Sequence, residues 1–367
     1  MLYADKAIGE AFRRTRLFFF KPFSLKRWLK LGLVGIFGGV LQQGGGGSFT
    51  GNDLSNLGNS GGDNNCGTSE MGQSVKKAIE SLETFYREHS LMIFAIAGVT
   101  IIIFIALSLL VTYIRSTMFF VFIESLVQRN VSVLGSFRNN RGKGFSLFLF
   151  NVLMRIIFFV IMIIIFLPII FSLWNMINSH QNINIWAFLS SFLLSFIAFL
   201  ILIIIFNFIC SLTYDFAVPI CYSGESGIPG GWITLLGLMR SNPGQIAFYY
   251  LIKIALAIGT GFIMVPLSLI LLIIFIPIIM IAVIFYVIVA ALFVKSQILG
   301  IIAGIIVTLL FIMAILVISY LFFCVYLPVH VFFRFYALVF LEMLTERVMN
   351  FGKAYEEENL DQFQGLV

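Results

Sequence analysis

Residues 246–294 read IAFYYLIKIALAIGTGFIMVPLSLILLIIFIPIIMIAVIFYVIVAALFV, a run with one charge, Lys253, and two prolines, Pro266 and Pro277. A helix rises about 1.5 Å per residue and a hydrocarbon core is about 30 Å thick, so about 20 apolar residues cross it. The run is therefore about twice the length of one crossing. Unbroken apolarity of this length marks membrane helices; strands of a barrel alternate apolar and polar residues instead. The prolines are placed to kink the run or divide it in two.

The rest of the chain agrees. Of 367 residues, 60% are hydrophobic, 16% aromatic and only 11% charged, with mean hydropathy +1.04. A soluble domain carries about 25% charge. Further apolar runs cover about 28–41, 91–114, 145–173, 186–212 and 298–326. The expected fold is all-α: a polytopic transmembrane helical bundle of about six to seven spans, with amphipathic interfacial helices and candidate repeated hairpins. Residues 1–27 read as a basic amphipathic segment lying on the membrane surface, with no cleavage site of a signal peptide. The transmembrane domain follows over 28–350. Within it lies a loop, 42–89, that is Gly/Asn/Ser-rich and expected to be disordered over 44–70, with a helix expected at 71–89. Residues 351–367 form an acidic tail.

Basic residues crowd two places: Lys6, Arg13, Arg14, Arg16, Lys21, Lys26, Arg27 and Lys30 at the start, then Arg115, Arg129, Arg138, Arg141 and Lys143. The positive-inside rule puts both in the cytosol, and the glycine-rich loop outside. Two crossings within 246–294 place the C-terminus outside; one broken segment places it inside. The expected location is the cytoplasmic membrane of a prokaryote.

Two cytosolic stretches echo each other: RNNRG at Arg138–Gly142 and RSNPG at Arg240–Gly244. Each follows an acidic residue at a span exit, Glu124 or Asp215. Each precedes a span with an early basic residue, Arg155 or Lys253. The shared order is compatible with a duplicated hairpin and equally with common loop residues recurring by chance. Ionisable groups within spans are costly and face partners or water. The candidate polar or ion-pair positions are therefore Glu124, Arg138, Arg155, Asp215, Arg240, Lys253 and, in HVFFRFYALVF, Arg334. They are expected either to pair structurally or to line a path.

Recognisable catalytic chemistry is missing. Cys66, Cys210, Cys221 and Cys324 form no C-x-x-C, and His89, His180 and His330 lie far apart. No phosphate loop, H-E-x-x-H or G-x-S-x-G occurs. No catalytic, cofactor-binding or metal residue is expected, and nucleic acid is not an expected partner. The expected partners are the bilayer, anionic lipid at the basic N-terminus, and protein partners or further copies of the chain.

The runs DFAVPICYSGESGIPGGWITLLGLMRSNPGQIAFYYLIKIAL, LPVHVFFRFYALVFLEML and FIESLVQRNVSVLGSFRNNRGKGFSLFLF resemble an uncharacterised prokaryotic multi-pass family related to the membrane domain of glycerophosphoryl diester phosphodiesterases. The likeness covers most of 1–350 and implies an architecture without an activity. The soluble hydrolase barrel of that larger family has no counterpart here. A scaffold or accessory membrane subunit is the expected function; a transporter or channel for a small solute or lipid is the alternative, and a membrane-embedded enzyme the third.

Overall fold

Apolar residues without a helical stripe of polarity form helices that are apolar all round, and these dominate the computed structural model. It describes residues 3–21, 23–40, 90–178, 185–224, 227–293, 297–345, 349 and 351–355. In chain order the helices are α1 (Tyr3–Phe20), α2 (Leu25–Phe37), α3 (Ser90–Val127), α4 (Val133–Asn139) and α5 (Arg141–Asn178). Then come α6 (Ile185–Leu212), a π-helical turn (Thr213–Ala217), α7 (Val218–Ser223), α8 (Ile228–Ser241), α9 (Pro243–Phe293) and α10 (Gln297–Leu344). Among the described residues there is no strand. The expected helix at 71–89, the disorder at 44–70 and Cys66 fall outside the described residues.

Five stretches among the described residues are long and apolar enough to cross a membrane: Phe94–Val127, Arg141–Trp174, Phe188–Ser223, Pro243–Ile281 and Thr308–Leu344. Two sequence expectations change in detail. Residues 246–293 do not divide: α9 is one helix with Pro266 and Pro277 inside it. The apolar start at 28–41 yields only the 13-residue α2, about 20 Å long, and Gly39 beyond it takes a left-handed φ of 65°.

The chain divides into two compact units, Met1–Gly47 with Ile114–Val367, and Ser48–Tyr113. In the second unit the described residues are the first turns of α3, mostly exposed and apolar, with Thr100 Oγ1 donating back to the Ile96 carbonyl.

In the first unit α5 packs along α6, and α9 along α10. The apolar side chains of these spans are mostly exposed, as a bilayer requires. The buried core sits toward one end of the helices. It gathers Ala4, Ala7 and Ala11 of α1, Phe119–Ile123 of α3, Phe216–Val218, Tyr249 of α9 and Phe335–Leu341 of α10. The segment HVFFRFYALVFLEML, which reads as amphipathic after Pro328, is instead the buried end of an unbroken α10, because α1 covers one side of it. The alanine stripe of α1 thus faces protein. Its other side leaves Lys6, Phe12, Arg16 and Phe20 exposed.

Prolines shape the joints. Pro328 has no N–H for the Cys324 carbonyl one turn earlier; the Trp28 indole Nε1 donates to that oxygen at 2.9 Å instead. Tyr320 Oη donates to the Leu29 carbonyl beside it. The approach is close because α2 presents glycine. A Cβ on Gly35 would stand 3.0 Å from the Phe323 ring, and one on Gly32 2.8 Å from Cys324 Sγ.

Candidate functional site: a buried ion triad

The sequence TYDFAVP holds the reason for the local geometry. Pro219 cannot donate to the carbonyl of Asp215, and its ring crowds that oxygen. The helix widens by one residue there, with the Val218 amide bonding the Thr213 carbonyl in an i→i−5 pattern. Such single-turn widenings re-aim a side chain out of register. Here the side chain is Asp215. Helix α8 presses on the same turn: a Cβ on Gly231 would lie 2.6 Å from the Ala217 carbonyl oxygen.

Asp215 meets two cations. Lys253 Nζ of α9 donates to Asp215 Oδ2 and to Ser211 Oγ at 2.9 Å, while Ser211 Oγ donates to Oδ2 at 3.1 Å. Arg334 Nη1 of α10 donates to Oδ1 and to the Tyr214 carbonyl, both at 3.2 Å. Asp215, Lys253 and Arg334 are 3%, 6% and 4% exposed. Removing such charges from water costs several kcal/mol per ion, about what good pairing returns. The guanidinium also lies over Phe119, 4.8 Å from the ring centroid, and the ammonium over Tyr250 at 5.6 Å. Counted from the ends of the apolar stretches at Ser223, Pro243 and Leu344, the three stand about 12–15 Å inward.

A neutral relay extends the site. Tyr214 Oη donates to Asn151 Oδ1 at 3.0 Å, and Asn151 Nδ2 to Ser116 Oγ at 3.2 Å. The π-helical turn is thereby tied to α5 and α3 as well as to α9 and α10.

Of the remaining sequence candidates, Glu124 lies on α3. It is buried and accepts from Asn140 Nδ2 and from Gln128 Nε2, because α4 ends at Asn140 directly above it. Arg155 is exposed on α5, within electrostatic reach of Tyr214 and Arg115. Arg138 and Arg240 are both exposed in the last turns of α4 and α8.

The two echoing pentapeptides nevertheless make the same joint. In each, the asparagine caps a short helix through its backbone N–H, Asn140 to Ser136 and Asn242 to Leu238. Its carbonyl then accepts from the first turns of the next long helix, from Gly144 or Ile246.

A second buried cluster escapes the sequence argument. Arg14 of α1 donates to Glu342 Oε2 at 2.9 Å and to Glu10 Oε1 at 2.8 Å, and Arg13 also holds Glu10. Burial pushes the Glu10 carboxyl up, but the hydrogen bonds and charges of Arg13 and Arg14 outweigh it and hold the pKa below the usual value. Tyr355 donates to the Leu126 carbonyl at 2.6 Å and packs edge-on against Phe335. Arg129, at φ 58°, donates to the Leu17 and Lys21 carbonyls at the end of α1. The sequence signal was present in the i, i+3 and i, i+4 spacing of Glu10, Arg13 and Arg14; the long-range partner Glu342 was not readable.

No curated protein and no solved structure matches the chain. A family of unknown function, DUF7544, matches residues 2–350, so nearly the whole chain, triad included, falls within it. The protein is a helical membrane protein that belongs to the DUF7544 family.

Proposed function

We propose that this protein is a non-enzymatic scaffold or accessory subunit of a membrane assembly, with the ion triad as its internal brace. One observation carries the reading: the intramembrane charges are turned on one another and on Ser211 and Tyr214, joining α6, α9 and α10, with Asp215 buried between two cations. A transport path needs ionisable groups that meet water. The exposed intramembrane faces of the spans are then the surfaces for lipid and for a partner subunit. The exposed side of α1 and the following turn, with Arg16, Lys21, Lys26 and Lys30 beside Phe12, Phe20 and Phe23, suits anionic headgroups. The positive-inside count supports a cytosolic N-terminus in a prokaryotic cytoplasmic membrane. The matching asparagine joints support descent of the two halves from a duplicated hairpin. Kinship with the membrane domain of glycerophosphoryl diester phosphodiesterases is part of this proposal.

The test separates bracing from transport. On the brace reading, Asp215→Asn lowers the unfolding temperature in detergent, and Asp215→Asn with Lys253→Met recovers part of the loss, the signature of a structural pair. Solute flux into reconstituted vesicles that disappears in Asp215→Asn at unchanged unfolding temperature would replace this reading with transport.

A further inference from the structure

The echo between the two joints reaches beyond a pentapeptide. Residues 134–142 read LGSFRNNRG and residues 236–244 read LGLMRSNPG, so leucine, glycine, arginine, asparagine and glycine recur in the same order and at the same spacing. Exposure recurs with them: Leu134 and Leu236, Arg138 and Arg240, Gly142 and Gly244 all face outward. The asparagines are accounted for by the caps they make. The chain's own packing gives no such account of the exposed residues. Neither arginine joins an ion pair among the described residues. A Cβ on Gly142 or Gly244 would meet nothing within 4 Å, and neither glycine takes a left-handed φ, although alanine is the better helix former.

Depth follows from the spans. Arg141 and Pro243, the first residues of α5 and α9, open stretches long and apolar enough to cross a membrane. The exposed arginines, three residues before them, stand at headgroup level. From each glycine an exposed face then runs into the membrane at i, i+3 and i+7: Gly142, Phe145 and Leu149 on α5, and Gly244, Ala247 and Leu251 on α9.

We propose that the α4–α5 and α8–α9 joints are two equivalent sites for an anionic phospholipid. The arginine pairs with the phosphate, the glycine leaves room for the glycerol, and the apolar face carries an acyl chain. These are other residues than the basic side of α1. A soluble phosphate would leave the apolar face uncovered, and a zwitterionic headgroup brings its own ammonium toward the guanidinium.

The test uses the full chain, delipidated in detergent and titrated with phosphatidylglycerol or with phosphatidylcholine, the bound lipid being counted by native mass spectrometry. Phosphatidylglycerol should be held in preference. Arg138→Gln and Arg240→Gln should each remove one bound lipid, and the double variant two. Gly142→Leu and Gly244→Leu keep the charge but fill the space, and each should weaken its site about tenfold. All four positions are exposed, so the delipidated variants should unfold at the temperature of the unmodified chain. Equal retention of phosphatidylcholine overturns the proposal, as does a lipid count that the double arginine variant leaves unchanged. A loss confined to one arginine overturns the equivalence of the sites. Displacement by free glycerol phosphate at equal concentration would make them sites for a soluble anion, and release of a copurified protein with the lipid count unchanged would make them protein docking surfaces; either result overturns the lipid. None of these outcomes involves Asp215, so the brace reading stands or fails separately.

Discussion

Two cations share one carboxylate at Asp215, and that asymmetry makes the three members of the triad unequal. Asp215→Asn leaves Lys253 and Arg334 without their anion in the core and should cost about 3–5 kcal/mol, the range for orphaned buried charges. Lys253→Met leaves Asp215 paired with Arg334 and bonded by Ser211, and replacing a buried ion by an apolar group of similar volume is often near neutral, so less than about 1.5 kcal/mol is expected. Thermal or denaturant unfolding of the two purified variants checks the order; equal losses would show that the charges do not couple as described. Asp215 and Lys253 were readable from sequence because a charge inside an apolar run is conspicuous. The partnering of Glu124 with Asn140 was not, since an amide at a helix end carries no such mark.

Helices here are joined where a proline leaves a carbonyl without its usual donor. Pro328 exposes the Cys324 carbonyl to Trp28, and Pro219 opens the turn that aims Asp215. Trp28→Phe keeps the aromatic packing on Phe19 and removes the donor, so a buried carbonyl goes unsatisfied and about 1–3 kcal/mol should be lost. Gly231→Ala puts a methyl 2.6 Å from the Ala217 carbonyl oxygen and must push α8 off the π-helical turn; overpacking of this kind costs about 1–3 kcal/mol. Both are read from unfolding midpoints, and a neutral Gly231→Ala would show that α8 yields freely. The α1 clasp adds a pH dependence. Because the folded pKa of Glu10 is lowered, its contribution is present above the ordinary carboxylate range and is lost as pH falls through the folded value. Stability should therefore decline below about pH 4, and less steeply in Glu10→Gln. Helix existence was legible in the apolar runs. The continuity of α9 and α10 through their prolines was not, because the neighbouring helices that let a membrane helix tolerate proline are tertiary facts.

At the scale of the larger unit, the packed core lies toward one end of the helices and their exposed apolar lengths lie beyond it. The core end collects α1, the close of α3, the start of α9, the close of α10 and Tyr355. Composition made the membrane class plain, whereas hydropathy left open whether the long apolar run is one helix or two, and it is one. With α9 one helix and α10 returning along it, Tyr355 comes back to Leu126 and to Arg14 of α1. The segments flanking the membrane domain at its two ends therefore share a side. The eight basic residues of the N-terminal segment favour the cytosol for that side. Tags fused before Met1 and after Val367 should then both be reached by antibody or protease only after the cell is permeabilised, while Cys66 reacts with an impermeant thiol reagent added to intact cells. The two tags answering from opposite faces would break the core, since the Tyr355 hydroxyl cannot donate to the Leu126 carbonyl from across a bilayer.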